Sequence, residues 1–137
     1  MKKKLVLSIS VVLLLVLAVI ACVACTPNAD SVQKKLEGEG YEVEVIEVSS
    51  DSEDIVISTY AQIGVTKVLR ASKSEDEYLT ILWFSDSDKF NDAYKSAEEK
   101  IEELKGYAEE AGITFNVKLV KKGKAIIQGT ADAVKLV

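Results

Sequence analysis

The chain has 137 residues, of which 17 are lysine or arginine and 22 are aspartate or glutamate, so its net charge is −5. It contains no histidine, which excludes serine–histidine and cysteine–histidine catalysis and removes the commonest zinc ligand. An acidic chain has no general attraction for phosphates, so we expect no nucleic-acid partner.

The N-terminal stretch differs sharply from the rest of the chain. Three lysines at positions 2–4 precede the uncharged run Leu5–Ile20, in which Ser8 and Ser10 are the only polar residues, and small Ala21 follows. A positive segment, an apolar segment and then a small residue are typical of an export signal.

The residues Val19-Ile20-Ala21-Cys22 resemble the lipobox of bacterial lipoprotein precursors. In that family the cysteine thiol receives a diacylglycerol, and a signal peptidase then cuts before the cysteine. The resemblance therefore implies a signal peptide over 1–21, a lipidated cysteine with a tether over 22–30, and a domain over 31–137. Cys25, preceded by Ala24, is the alternative attachment site.

An uncleaved transmembrane helix is the competing interpretation of the same stretch. The run from Leu5 to Ala29 carries no charge, and about 20 apolar residues are enough to span a bilayer. The lipobox and the polar break at Thr26-Pro27-Asn28 favour cleavage. Either way we expect an extracytoplasmic domain held at the cell membrane, and a diacylated cysteine supplies the two chains needed for stable anchoring.

Cleavage before Cys22 removes 21 of the 137 residues and leaves 116, with three lysines lost and a net charge of −8. That length suits one domain. Both cysteines lie at the anchor, so the domain has no disulfide and no thiolate metal site, and we expect no cofactor and no metal.

The first half of this domain predicts a short helix, a strand and one ambiguous segment. Ser31 can cap a helix that stops near Gly38, and residues 41–48 alternate as a half-buried strand does. Residues 55–63 carry helix-cap signals at both ends, a capping box at Ser50 and Glu53 and a glycine after the segment, but they are rich in β-branched side chains. We expect a helix there and keep a strand as the alternative.

The second half predicts two hairpins separated by a long helix. Residues 65–72 and 77–84 form the first hairpin, and its second strand is apolar on both faces. Residues 85–111 carry an apolar stripe at helical spacing and end at a glycine. Residues 114–120 and 125–128 form the second hairpin, before a short helix capped by Thr130.

This order predicts an α+β fold, a small antiparallel or mixed sheet with helices packed on one face. A ferredoxin-like layout is one candidate.

Clustered carboxylates are the first candidate site, at residues 51–54, 75–77 and 86–88. An EF-hand loop that starts at Asp86 fails at its fifth, sixth and twelfth positions. We interpret the clusters as solvated caps and turns, with weak calcium binding as the alternative.

Two further features have a functional and a structural interpretation. Four lysines surround the second hairpin, namely Lys118, Lys121, Lys122 and Lys124. They predict a contact with an anion, such as lipid headgroups, a wall polymer or an acidic partner, or else protection of a strand edge from aggregation. Tyr78, Trp83 and Phe84 share one strand and predict either core packing or an aromatic surface for peptide or sugar.

The sequence thus favours a lipid-anchored, non-enzymatic binding or accessory module of a bacterial cell envelope, with an unidentified protein or polymer as its partner. The alternative is an envelope hydrolase or transferase that uses carboxylates or a serine–lysine pair. A solute receptor is a third interpretation, but two domains around a cleft need a longer chain.

Overall fold

The computed structural model describes residues 26–137. Its helices are α1 (Ala29–Gly38), α2 (Ile55–Gln62), α3 (Ser87–Ala111) and α4 (Ala131–Val134). Its strands are β1 (Glu42–Glu47), β2 (Val65–Ser74), β3 (Glu77–Phe84), β4 (Val117–Lys122) and β5 (Ala125–Thr130).

The strands form one sheet in the order β1-β2-β3-β5-β4, and every neighbouring pair is antiparallel. β3 lies at the centre, where it pairs with β2 and β5. The α+β class and the antiparallel sheet predicted from the sequence are confirmed.

Alternation along β3 directs its side chains into two separate cores. Leu79, Ile81 and Trp83 pack with α1 and α4 on the first face of the sheet. Leu82 and Phe84 pack with α2 and α3 on the second face. The two-sided character of β3 is therefore confirmed, and the helices cover both faces rather than the single face that we expected.

The sheet contains only one half of the predicted ferredoxin-like layout. In that arrangement a helix joins two parallel strands that have another strand between them. The helix α3 does this, since it joins β3 and β4, which are parallel and have β5 between them. The helix α2 does not, because β1 and β2, which flank it, are direct neighbours and antiparallel. The physical reason is the length of α2, since eight residues rise only about 12 Å and cannot carry the chain back along a full strand.

The folded part begins earlier than the predicted boundary at residue 31. Asn28 caps α1 by accepting a hydrogen bond from the Ser31 amide, and Ala29 is buried in the first core. The indole Nε1 of Trp83 donates to the Pro27 carbonyl at 2.9 Å. Residues 26–30, predicted to be part of a tether, therefore belong to the domain.

The ambiguous segment at residues 55–63 is a helix, as we expected. Its cap is the Asp54 carboxylate, which accepts from the amides of Val56 and Ile57, rather than the predicted pair Ser50 and Glu53. Gly64 follows in the left-handed region with φ +93°, which confirms it as the glycine that ends the helix.

The long helix α3 packs on the sheet through its first half only. Phe90 is buried and Tyr94 is half-buried, whereas Leu104 and Tyr107 are 42% and 61% exposed. The apolar stripe predicted along the whole helix is therefore a packing surface only in its first turns. Within residues 26–137, no helix is both long and apolar enough to cross a bilayer.

Candidate functional site

A groove on the second face of the sheet lies between α2 and α3, and we take it as the candidate site. Its inner hollow, of about 460 Å³, has Leu82, Ile126 and Gln128 as its floor. Gln62 and Ile63 form one wall, and α3 forms the other through Lys89, Asp92, Ala93, Ser96 and Ala97. A drug-sized ligand typically occupies a cleft of this size.

The groove continues across the sheet as a series of connected hollows. A middle hollow of about 180 Å³ shares Leu82, Ile126 and Gln128 with the inner one and is bordered by Tyr60 and Tyr78. An outer hollow of about 510 Å³ shares Tyr78 and Thr80 with the middle one and reaches β1. The three hollows together make an open path from α3 to the edge of the sheet.

Strand register places hydrogen-bonding side chains in a row across this path. Residues paired across antiparallel strands point to the same face, and Thr80 shares its face with Leu82 because they are two apart. The row crosses four strands as Glu44, Arg70, Thr80 and Gln128. Glu44 and Arg70 are exposed, and Thr80 and Gln128 are half-buried, so each can meet a ligand.

A close contact between the two walls narrows the groove at one end. A Cβ added to Gly64 would lie 2.9 Å from Lys89 Cβ, so α3 packs directly on the turn that follows α2. Because Val65 pairs with Phe84 at this end of β2 and β3, the groove is narrow there and opens toward Tyr78.

The start of α3 is held by a capping carboxylate. Asp86 accepts hydrogen bonds from the amides of Asp88 and Lys89 at 2.9 and 3.1 Å. These two bonds to the charged form hold the pKa of Asp86 below its ordinary value of 3.8.

Burial also affects one tyrosine beside the groove. Desolvation, followed by the charge of Glu98 and a hydrogen bond to it, raises the pKa of Tyr94 above 10.0. The raised pKa keeps its hydroxyl neutral. Its ring stacks on Phe90 with centroids 6.3 Å apart and belongs to the packing between α3 and the sheet.

The four predicted lysines are not brought together into one anion site. The ammonium of Lys121 lies 5.0 Å from the Tyr94 ring centroid, on the second face. Lys122 donates to the main-chain oxygen of Val137 and Lys124 donates to that of Ser85 at 3.0 Å. Lys118 is exposed on the edge strand β4, so the anion contact remains a prediction for individual lysines rather than for a cluster.

The carboxylate clusters take the roles of caps and turns at several positions. The Asp54 and Asp86 carboxylates cap α2 and α3. Asp76 lies in the turn between β2 and β3, where its main-chain amide, not its carboxylate, donates to Ser74 Oγ. Among residues 26–137, no group of three potential metal-ligating side chains has the geometry to hold an ion.

The aromatic residues of β3 divide between the two interpretations. Trp83 and Phe84 are buried, one in each core. Tyr78 is 37% exposed and borders the groove. One of the three is thus available to a ligand.

The predicted signal peptide and the lipid attachment site, Cys22 or Cys25, lie outside the described residues 26–137. No protein-family model, no curated protein and no solved structure matches the chain.

Sequence reasoning missed the residues of the polar row. Arg70, Thr80 and Gln128 belong to three strands, and only their register makes them neighbours. One available signal was the occurrence of polar residues on the second face of otherwise apolar strands, Thr80 in β3 and Gln128 in β5.

The capping carboxylate of α3 predicts a pH-dependent effect on stability. Because the pKa of Asp86 is lowered in the folded state, its negative charge stabilises the fold at any pH above the ordinary pKa of 3.8. This contribution is lost as the pH falls through the lowered pKa. The substitution Asp86→Asn should therefore reduce the urea midpoint at pH 7, with the deficit disappearing in acid.

Asp92→Asn is the matched control, because it removes one charge from an exposed position of the same helix that makes no cap. Its urea midpoint should stay close to that of the wild type at both pH values. A deficit for Asp86→Asn that is the same at pH 7 and in acid would contradict the assigned role.

Proposed function

We propose that this protein is a bacterial lipoprotein, anchored to the cell membrane on its extracytoplasmic face, that acts as a non-enzymatic binding or accessory module of the cell envelope. The observation that carries the anchoring part is the sequence Val19-Ile20-Ala21-Cys22 after a charged and then an apolar segment. The binding part rests on the groove between α2 and α3.

The position of the first folded residues supports the proposed anchor. Thr26 Oγ1 accepts a hydrogen bond from the Lys124 amide, so the chain contacts the sheet within four residue steps of Cys22. A cleaved and lipidated chain would then have four residue steps between its anchor and this domain.

The composition of the groove supports a binding role. Its inner hollow is mainly apolar, with Ile63, Leu82 and Ile126. Its outer part is lined by Tyr78 and by three residues of the polar row, Glu44, Arg70 and Thr80. A few placed hydrogen-bonding groups beside apolar and aromatic surface are the usual features of a recognition site. The open path across four strands suits an extended partner, either a segment of an envelope protein or a wall polymer.

Intact mass tests the anchor directly. Protein extracted from membranes should begin at Cys22 and carry a diacylglycerol, and Cys22→Ala should abolish both the lipidation and the cleavage before residue 22. Cys25→Ala is the matched control and should leave the lipidated mass unchanged apart from the substitution. An unlipidated wild-type chain that still carries Met1 would refute the proposal in favour of a transmembrane helix.

Photocrosslinking in cells tests the groove. Benzoylphenylalanine in place of Tyr78, which is 37% exposed in the groove, should give a crosslinked adduct, because the probe resembles tyrosine and faces the partner. The same probe in place of Tyr107, which is 61% exposed on the far half of α3, is the matched control and should give none. An adduct that muramidase digests would identify a wall polymer, and a discrete resistant band would identify a protein.

Equal crosslinking at the two positions, or none at either, would count against the groove as the recognition surface.

A further inference from the structure

Thr26 and Pro27 contact one end of the sheet. Here the Thr26 end denotes the end that holds Thr26, Trp83 and the turn between β4 and β5. Gly123 in this turn has φ +56°, and a Cβ there would lie 2.7 Å from both the nitrogen and the Cα of Thr26. The chain therefore enters the domain in direct contact with this turn.

A second attachment follows one residue later. The Pro27 carbonyl accepts from the indole of Trp83, whose side chain is buried in the first core and 8% exposed. α1 begins two residues further on, capped by Asn28. Each residue from Thr26 to Asn28 is therefore held by a contact of its own, and the tether predicted over these residues is absent.

The remaining link to the proposed anchor is short. Four residue steps separate Cys22 from Thr26, and four steps of extended chain span at most about 14 Å. The predicted tether, which ended at residue 30, would have put nine residue steps between Cys22 and Ser31 and allowed about 30 Å. The alternative attachment at Cys25 would bring Thr26 closer still.

We infer that the anchor seats the domain directly on the membrane, with the Thr26 end against the lipid headgroups and the open end of the groove turned away. This inference rests on the proposed lipid anchor. The headgroup layer on each side of a bilayer is about 5–7 Å thick, so a reach of about 14 Å leaves no more than about 10 Å between that layer and Thr26.

The residues around Thr26 suit a surface of headgroups. Lys122 and Lys124 flank the turn that Thr26 contacts, and lysines within a Debye length of about 10 Å are attracted to anionic lipid. The acidic turn at residues 75–77 lies at the opposite end of β3, about 20 Å away, where repulsion from the bilayer is screened.

The proposed position of the domain on the membrane also sets the direction in which the groove opens. Its narrow end, where Gly64 meets Lys89, lies at the same end of β2 and β3 as Trp83 and therefore near the membrane. Its polar row and Tyr78 lie farther along β3. A partner thus approaches from the wall side of the membrane.

Energy transfer from tryptophan to a labelled lipid reports the distance between Trp83 and the headgroups. No added donor is needed, because Trp83 is the only tryptophan in the chain. The full lipidated protein is reconstituted into phosphatidylcholine vesicles that contain a dansyl-labelled headgroup lipid. We expect strong transfer from Trp83 in the wild type. A twelve-residue glycine–serine linker inserted between Cys25 and Thr26 adds a root-mean-square reach of about 20 Å and should lower the transfer several-fold.

The same linker inserted between Glu75 and Asp76, in the turn at the far end of β3, is the matched control and should leave the transfer unchanged. Equal transfer in the wild type and the Cys25–Thr26 insertion would overturn the inference. Intact mass separates this failure from that of the anchor, since a fully diacylated wild type with weak transfer refutes the seat alone.

Discussion

The central strand β3 is the constraint on which the rest of the structure depends, because it is apolar on both faces. Leu79 and Ile81 are almost completely buried on the first face, and Phe84 is buried on the second. Burying such a strand removes its apolar surface from water only if both sides of the sheet are covered. The helices therefore divide between the two faces, and the two cores share the sheet as their common wall.

The groove follows from incomplete cover on the second face. α2 has eight residues and α3 packs through only its first half, so the part of the sheet between them stays open. Polar Thr80 and Gln128 lie there beside apolar Leu82 and Ile126, whereas the first face at the same strands is apolar. A fold that buries β3 on both sides thus still leaves one groove open on the second face, which is the surface that we propose for recognition.

Much of the fold could be predicted from local pattern, and the site could not. The two faces of β3, the left-handed Gly64 and the end of α3 at Gly112 follow from spacing and from glycine at positive φ. The polar row requires strand register, which side-chain alternation alone leaves open. The early start of the domain depends on a hydrogen bond between Pro27 and Trp83, 56 residues apart, a separation over which local pattern carries no information.

The hydrogen bond between Trp83 and Pro27 holds the start of the described chain on the sheet, and the proposed position of the domain at the membrane depends on it. The single indole N–H resonance of Trp83 reports on it directly, in a solvent-exchange measurement on the lipidated protein in detergent micelles. A buried and bonded indole should exchange at least about tenfold more slowly than in the urea-unfolded chain, because exchange requires local opening. Exchange at the unfolded rate would mean that the chain is not fastened at Pro27, and would contradict the account.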